Sequence, residues 1–457
     1  MFVMGMDIGT TSISGIILDT DQQIIQCSRS LPNNSAIPSS TSGEKLQDPE
    51  VIWQLVSRLQ AEMTATLAQP LGGIGLTGQM HGILYVDASG RHCSPLYTWQ
   101  DQRAAEISAG GISFAETLSR RLRTPVAPGY GLATHACNVA QGLVPQEGVG
   151  MVTIADYIAM RMTRSAMPVI DPTQAAGVGG YDWRKGAFEQ DKLEDAGLDI
   201  SLLPQILPSG SQVGETPEGV AVFLSIGDNQ ASFLGSVSAP AESLLLNLGT
   251  GGQLSVYVDG YEGDIQGMER RPYPGGGYLW VGASLTGGKA YAVLEQFMRE
   301  LIHTYTGRDP GSVYDYMESL TAQSAFSPQG SESLRVAAQF LGTRDNPTQR
   351  GAITNITMDN LTPANLTHGF IWGMVEELYH FAAALPPEVM QGRTRLIGSG
   401  NGLRLNQALR LAAEQQFGLP LQLPKWQEEG AVGAALTAAV GLGIVEHFVQ
   451  AGRLLES

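Results

Sequence analysis

Short apolar runs closed by polar turns open the chain. Val3 to Met6, Ser14 to Leu18 and Gln23 to Ser28 read as hairpin-like strands, the last two separated by Asp19-Thr20-Asp21. The polar stretch Pro32 to Gln47 reads as a loop. Pro49 to Leu67 places Val51, Ile52, Leu55, Val56 and Leu59 at helical spacing and predicts a helix. Strands are expected at Ile74 to Thr77, Ile83 to Val86 and Leu96 to Trp99, with helix from Gln102 onward. Ile154 to Met162 predicts a helix, Gly177 to Tyr181 a strand and Asp191 to Gly197 a short helix. Val220 to Ile226 reads as a strand running into Gly227-Asp228-Asn229-Gln230, followed by a helix over Ala231 to Val237.

Ala239-Pro240-Ala241 is the expected linker, dividing the chain into lobes 1–238 and 239–457. The second lobe repeats the style of the first. Strands are predicted at Leu244 to Leu248, Gln253 to Val258 and Tyr278 to Gly282, and helices at Gly288 to Thr304, Pro363 to Leu385 and Gly430 to Gly441. Leu396-Ile397 leads into the glycine loop Gly398-Ser399-Gly400-Asn401-Gly402.

The repetition is closest at two turns. Met6-Asp7-Ile8-Gly9-Thr10-Thr11-Ser12 and Leu246-Asn247-Leu248-Gly249-Thr250-Gly251-Gly252 each read as apolar strand, tight turn, apolar strand. Turns of Gly, Thr and Ser let successive backbone N–H groups converge, and such a nest binds phosphate. Two nests on two half-chains predict a nucleotide held between similar lobes. Asp7, just before the first turn, can hold Mg²⁺ directly or through water.

The net charge of −17 leaves no basic surplus for nucleic acid or an anionic membrane. Cys27, Cys93 and Cys137 are widely spaced and odd in number, so neither a disulfide framework nor a metal knuckle is expected, and a reducing cytoplasm is the natural compartment. The first residues read as a strand rather than a signal peptide, and no apolar run is long enough to span a membrane.

Asp228 is the candidate reactive residue. It follows an apolar strand and precedes a small-residue helix, so its carboxylate projects at a strand's C-terminal end, where ligands bind in open α/β sheets. There it can take the proton of an attacking hydroxyl during phosphoryl transfer. An Asp before a helix also reads as an N-cap. Gln79 and His81 can bond a polyol and Met80 can touch its carbon chain, whereas His81 also reads as a turn histidine. Trp99 can stack on a sugar with polar groups beyond it, or sit in the core with Asp101 as a cap. The Gly398 to Gly402 loop permits close approach of an adenosine or phosphate, with Asn401 as a partner, but Leu403 breaks the dinucleotide fingerprint. Gly282 to Lys289 misses the P-loop pattern because Gly288 stands where Lys is required, although Gly287 and Gly288 can still face a nucleotide.

Taken in order, Asp7-Ile8-Gly9-Thr10-Thr11-Ser12, Gln79-Met80-His81-Gly82, Gly227-Asp228-Asn229-Gln230, Asn247-Leu248-Gly249-Thr250-Gly251 and Gly398 to Gly402 resemble the FGGY carbohydrate kinases over essentially the whole chain. The resemblance implies an α/β, two-lobed ribonuclease-H-like (actin-like ATPase) fold with a nucleotide cleft, ATP and Mg²⁺, Asp228 as catalytic base, and Asp7 with Asp228 at the metal. It places the Gly9-Thr10-Thr11-Ser12 and Gly249-Thr250-Gly251 turns on phosphate and Gly400-Asn401 near adenosine. Gln79, Met80, His81, Trp99, Asp101, Tyr130, Asp228 and Asn229 form the implied sugar site. Within the family the chain is most similar to the sedoheptulokinases through Thr98 to Arg103, Gly129 to Thr134, Asp171-Pro172-Thr173-Gln174-Ala175-Ala176 and Ala283 to Gly288, with xylulokinases next. Many members place a Lys and then a Trp in a helix after the substrate loop, where this chain has His135 and Asn138, a departure that fits the sedoheptulokinase-like branch. The implied partner is a small sugar, with no nucleic acid and no membrane, and a homodimer is allowed. An actin-like or chaperone-like ATPase shares the phosphate turns but gives Gln79, Met80, His81 and Trp99 no polyol to bind.

Overall fold

Strand Phe2–Ile8 pairs antiparallel with Ser12–Asp19 and parallel with Leu71–Gly78. Strand Ser243–Leu248 repeats the arrangement, antiparallel to Gly252–Val258 and parallel to Arg395–Ser399. Each Gly-Thr turn therefore closes a β-hairpin at the centre of its own sheet. The computed structural model describes residues 1–455 except 66, 108–109, 262, 324–332, 344–345 and 347.

Two units result. The first holds Met1–Ala239, Pro272–Gly276 and Trp426–Ser457, and the second holds Pro240–Arg271 and Gly277–Lys425. The first sheet has seven strands, in the order Gln212–Glu215, Ala221–Phe223, Leu71–Gly78, Phe2–Ile8, Ser12–Asp19, Ile24–Pro32, with Ile226–Gly227 also pairing to Leu71–Gly78. Met4, Met6, Ile8, Ile74 and Leu76 bury themselves there with Ile52, Val56 and Leu59 of the Pro49–Thr64 helix. That helix starts where predicted because Asp48 caps it, accepting from the Glu50 and Val51 amides. The second unit has a six-stranded sheet, in which Leu244, Leu246, Leu254 and Val256 pack with Ile371, Val375 and Leu378 of the Pro363–Ala383 helix.

The division at 238 and 239 assigns the C-terminal segment to the second lobe, and the structure places Trp426–Ser457 in the first. The cause is glycine on the strands. A Cβ at Gly5 would lie 1.9 Å from the Ala431 carbonyl oxygen, and one at Gly75 would lie 1.8 Å from that of Ala434. Only bare backbone lets the Glu429–Gly441 helix settle onto the first sheet.

Three local expectations change. Helix does not run on from Gln102: Arg103–Ala105 is one 3₁₀ turn, and the next helix, Phe114–Leu122, begins behind its own cap, Ser113. The Val220 to Ile226 strand is broken into Ala221–Phe223 and Ile226–Gly227, because the Leu224 amide donates to Ser211 O and the Ser225 hydroxyl to Asp156. Gly177 starts no strand; it belongs to the Pro172–Val178 helix, capped by Asp171 with Pro172 in its first turn. Among the described residues no helix is long and apolar enough to cross a membrane.

Candidate active site

Strand register brings two carboxylates to one sheet edge. Asp7 lies opposite Thr77, and Thr77 on its other side lies opposite Ile226, two residues before Asp228. Asp228 opens the Asp228–Ser236 helix, whose cap is Gly227. The N-cap alternative for Asp228 therefore falls, and the residue stands directly after the strand's C-terminal end. Asp7 Oδ1 is buried with no hydrogen-bond partner among the described residues. Burial, then the charges of Asp228 and Glu428, push the Asp7 carboxyl up to about 7. Gly430 leaves it room, since a Cβ there would lie 2.5 Å from Asp7 Oδ2.

These residues fit Mg²⁺. A bound cation would give the orphaned oxygen a partner and reverse the cost of crowding acids together. Among the described residues no cluster of three or more His, Cys, Asp or Glu side chains could hold a metal. Mg²⁺ is commonly held by one or two carboxylates, waters and phosphate oxygens.

Beside Asp7, hydrogen bonds tie the first turn to the predicted sugar residues. The Trp99 indole N–H donates to Thr10 Oγ1 at 2.9 Å, and Thr10 Oγ1 donates to Gln79 Oε1 at 3.3 Å. Gln79 Nε2 donates to Gln47 Oε1 at 2.8 Å, and Gln47 Nε2 returns to the Thr10 carbonyl at 2.9 Å. Trp99 is 45% exposed, so it is no core tryptophan, and its ring is steered by the bond at its nitrogen. The Thr10 side chain serves this network. Asn33 braces that turn through the Gly9 carbonyl.

His81 has φ 74, a costly conformation for a residue with a Cβ. Its Nδ1 lies 2.7 Å from the Gly177 carbonyl, which can only accept, so Nδ1 carries the hydrogen. Its ring stacks on Tyr130, 4.6 Å between centroids and 9° between planes. Met80 is 4% exposed and lies against Gly227, where a Cβ would sit 2.7 Å from its sulfur.

The second turn opens on a cavity of about 610 Å³ within its own unit. Gly249, Thr250, Gly288, Asn401 and Gly402 line it together with Tyr291, Tyr314, Met374 and Asn406. Tyr291 and Tyr314 are stacked, 5.8 Å apart at 22°. Gly288 and Lys289 donate their amides to Gly249 O and Thr250 O, and a Cβ on Gly287 would lie 2.1 Å from the Gly251 carbonyl carbon. Gly287 thus lets this brace approach the turn, while Gly288 also reaches the cavity. Gly400, at φ 84, brings the Asn401–Leu405 helix against Leu248. A nucleoside-sized space with aromatic walls and a glycine-rich mouth suits a nucleotide.

Residues 2–235 match the N-terminal domain of the FGGY family of carbohydrate kinases. The chain belongs to the FGGY family. Sedoheptulokinase of Mus musculus is 28% identical to it, over 95% of this chain and 96% of that protein. The gluconate kinase and the ligand-bound xylulose kinase of Lactobacillus acidophilus share its fold, with TM-scores of 0.85 and 0.84 at 21% and 20% identity, each covering 99% of this chain and 92% of its own. The fold is therefore the α/β, actin-like ATPase fold, and the protein is an FGGY sugar kinase.

Within this FGGY chain one expected sugar ligand has other work. Asp101 is fully buried, and its two oxygens accept from Arg103 N, Arg103 Nε, Arg103 Nη2 and Lys45 N. Four donors on one carboxylate leave it no capacity for a sugar hydroxyl. Asp101 anchors the loop that carries Trp99. His135 and Asn138, the family departure, build the floor beneath: Tyr85 joins His135 Nδ1 at 2.8 Å, and Asn138 links Tyr85 to Arg103. Burial pushes His135 down to about 4, so the ring is neutral. Sequence reasoning missed Gln47, Tyr291, Tyr314 and Glu428. Glu428 immediately precedes the glycine-containing Glu429–Gly441 helix, which is the available signal; nothing local separates the tyrosines from ordinary helix surface.

Proposed function

We propose that the protein is an ATP-dependent ketose kinase that phosphorylates the terminal primary hydroxyl of sedoheptulose to give sedoheptulose 7-phosphate. The observation that carries the reaction is the pair Asp7 and Asp228, brought to one sheet edge by strands flanking Leu71–Gly78, with an orphaned oxygen on Asp7. Similarity to a sedoheptulokinase over nearly the full length of both proteins supports the sugar.

Asp228 accepts the proton of the attacking hydroxyl as the γ-phosphoryl group moves in line to that oxygen. Asp7, with Asp228 close by, would hold Mg²⁺, which would supply charge neutralisation on the phosphates. His81, held by Gly177 and Tyr130, brings its imidazole to the sugar. Trp99 covers a sugar face, and Gln79 fixes the turn beside it. Tyr130 supports the His81 ring, and Asn229 stands in the first helical turn next to the base. The cavity of the second unit takes the adenosine, with Asn401 and the stacked tyrosines as its walls and the Gly249-Thr250-Gly251 turn toward the phosphates.

The test is ADP release with ATP and Mg²⁺ against sedoheptulose, xylulose, ribulose and glycerol, with Asp228→Ala as control. Sedoheptulose is expected to give the highest kcat/KM, and the mutant to lose at least about 10²-fold in kcat. Xylulose in first place would move the chain to the xylulokinase reading. ADP release indifferent to every sugar would remove the kinase reading in favour of an ATPase, and near-normal turnover by the mutant would remove Asp228 from its role.

A further inference from the structure

Asp228 is led into its helix by a glycine. Gly227 is the cap of its helix, with φ −61 and ψ 146, and has no side chain to hold that geometry. The hold comes from neighbours. The Gly227 N–H donates to Thr173 Oγ1 at 2.9 Å, and Thr173 donates its hydroxyl to Asp171 Oδ1 at 2.5 Å and its own N–H to the same oxygen at 2.7 Å. The Ile226 carbonyl accepts from Thr77 Oγ1 at 2.7 Å and from Gln174 Nε2 at 3.2 Å. Ser225 Oγ donates to Asp156 Oδ1 at 2.6 Å. Asp156, Asp171, Thr173, Gln174 and Thr77 are all essentially inaccessible to solvent. Three consecutive residues leading into the base are thus each held by a buried side chain.

Two of these holders, Thr173 and Gln174, lie on the Pro172–Val178 helix, which also supplies the Gly177 carbonyl that fixes His81 Nδ1. We infer that this short helix is a gauge: Thr173, seated on Asp171, positions Asp228, while Gly177 positions His81, so one rigid element sets the distance between base and sugar ligand. The inference rests on the reading of Asp228 as the base. Thr173 touches no reacting atom; it is a positioning residue. A shift of about 1 Å at the reacting groups can cost on the order of 10²-fold in rate. Its loss therefore falls on kcat rather than on binding.

The experiment compares Thr173→Val, which keeps the shape and removes the acceptor, with Thr173→Ser, which keeps the hydroxyl. Three readouts are taken: kcat, KM for sugar and for ATP, and amide hydrogen exchange of residues 224–228 in the substrate-free protein. T173V is expected to lower kcat about tenfold or more with both KM values within about twofold, and to speed exchange of that segment. T173S is expected to stay near wild type in all three. If T173V does not fold, Gln174→Met removes the second donor to Ile226 and is expected to show the same split between kcat and KM with smaller amplitude. Wild-type turnover combined with unchanged kcat in T173V, equal losses in Ser and Val, or a loss carried by KM would each overturn the inference while leaving the kinase reading intact. A wild-type protein that releases no ADP with any sugar would sink the kinase reading, and this one with it.

Discussion

The two Gly-Thr turns occupy equivalent places in their sheets and differ in what surrounds them. The first has Asp7 before it, the second Asn247. The first is stitched to Trp99, Gln79 and Gln47 by side-chain hydrogen bonds, and its acid is crowded by Asp228 and Glu428. The second opens on a cavity walled by tyrosines, and its braces are backbone amides from Gly288 and Lys289. A duplicated piece of backbone has thus been furnished twice. Acid and fixed polar side chains gather around the first turn, whereas the second opens between glycines and tyrosines on a cavity that Asp315 and Glu318 also line. The two turns share a backbone motif and differ in their neighbours.

The sharpest way to break this comparison is to exchange the distinguishing residue. Asp7→Asn removes the charge at the first turn and is expected to lower kcat by about 10²-fold, with a raised Mg²⁺ requirement. Asn247→Asp puts a carboxylate beside the second turn and is expected to raise KM for ATP about tenfold through like-charge repulsion, with a smaller change in kcat. Steady-state kinetics with Mg²⁺ and ATP varied separately would separate the two. Equivalent effects from both substitutions would show that the turns are interchangeable and that the surroundings carry little.

A smaller effect sharpens the binding half. Tyr291→Leu keeps apolar bulk in the cavity but removes the ring stacked on Tyr314. Loss of such stacking is expected to raise KM for ATP about fivefold and to leave KM for the sugar unchanged. A change in the sugar constant instead would place the tyrosine pair in the wrong half of the reaction.

Much of this was readable in the sequence, for identifiable reasons. Strands, turns and both lobes' central hairpins follow from local apolar patterning and glycine, and Asp228 follows from its place between strand and small-residue helix. Asp48 and Asp171-Pro172 are local helix starts, although the glycines and apolar residues of Gly177 to Tyr181 read as a strand. What was not legible is what depends on long-range contact. In Trp99-Gln100-Asp101 the acid reads as a sugar ligand or as a cap, and only the fold shows the Arg103 side chain and Lys45 N filling its oxygens. The C-terminal helix joins the first unit because Gly5 and Gly75 admit it, and no pattern within residues 426 to 457 announces that. Tyr291 and Tyr314 come from two helices and meet only in the folded unit.

The comparison reaches stability as well, because buried acid is a habit of the first unit. Asp156 is pushed up to about 7, chiefly by burial, with Asp171 adding repulsion against the pull of Ser225 and Thr153. Asp171 is pushed up to about 6 by burial, against the pull of Ser209 and Thr173. In the unfolded chain both titrate near 3.8. Between that value and 6 to 7 the folded protein therefore binds more protons than the unfolded one, so stability falls as pH rises through the window. These acids contribute their full stabilising proton uptake only below about 4 and have lost it above about 7. Asp156→Asn removes one titration without removing the shape of the side chain. The melting temperature of the wild type is expected to decline more steeply than that of D156N between pH 5 and 8, by a difference on the order of a few degrees. Parallel slopes in the two proteins would mean that Asp156 is ionised in the fold, and that its bonds to Ser225 and Thr153 outweigh its burial.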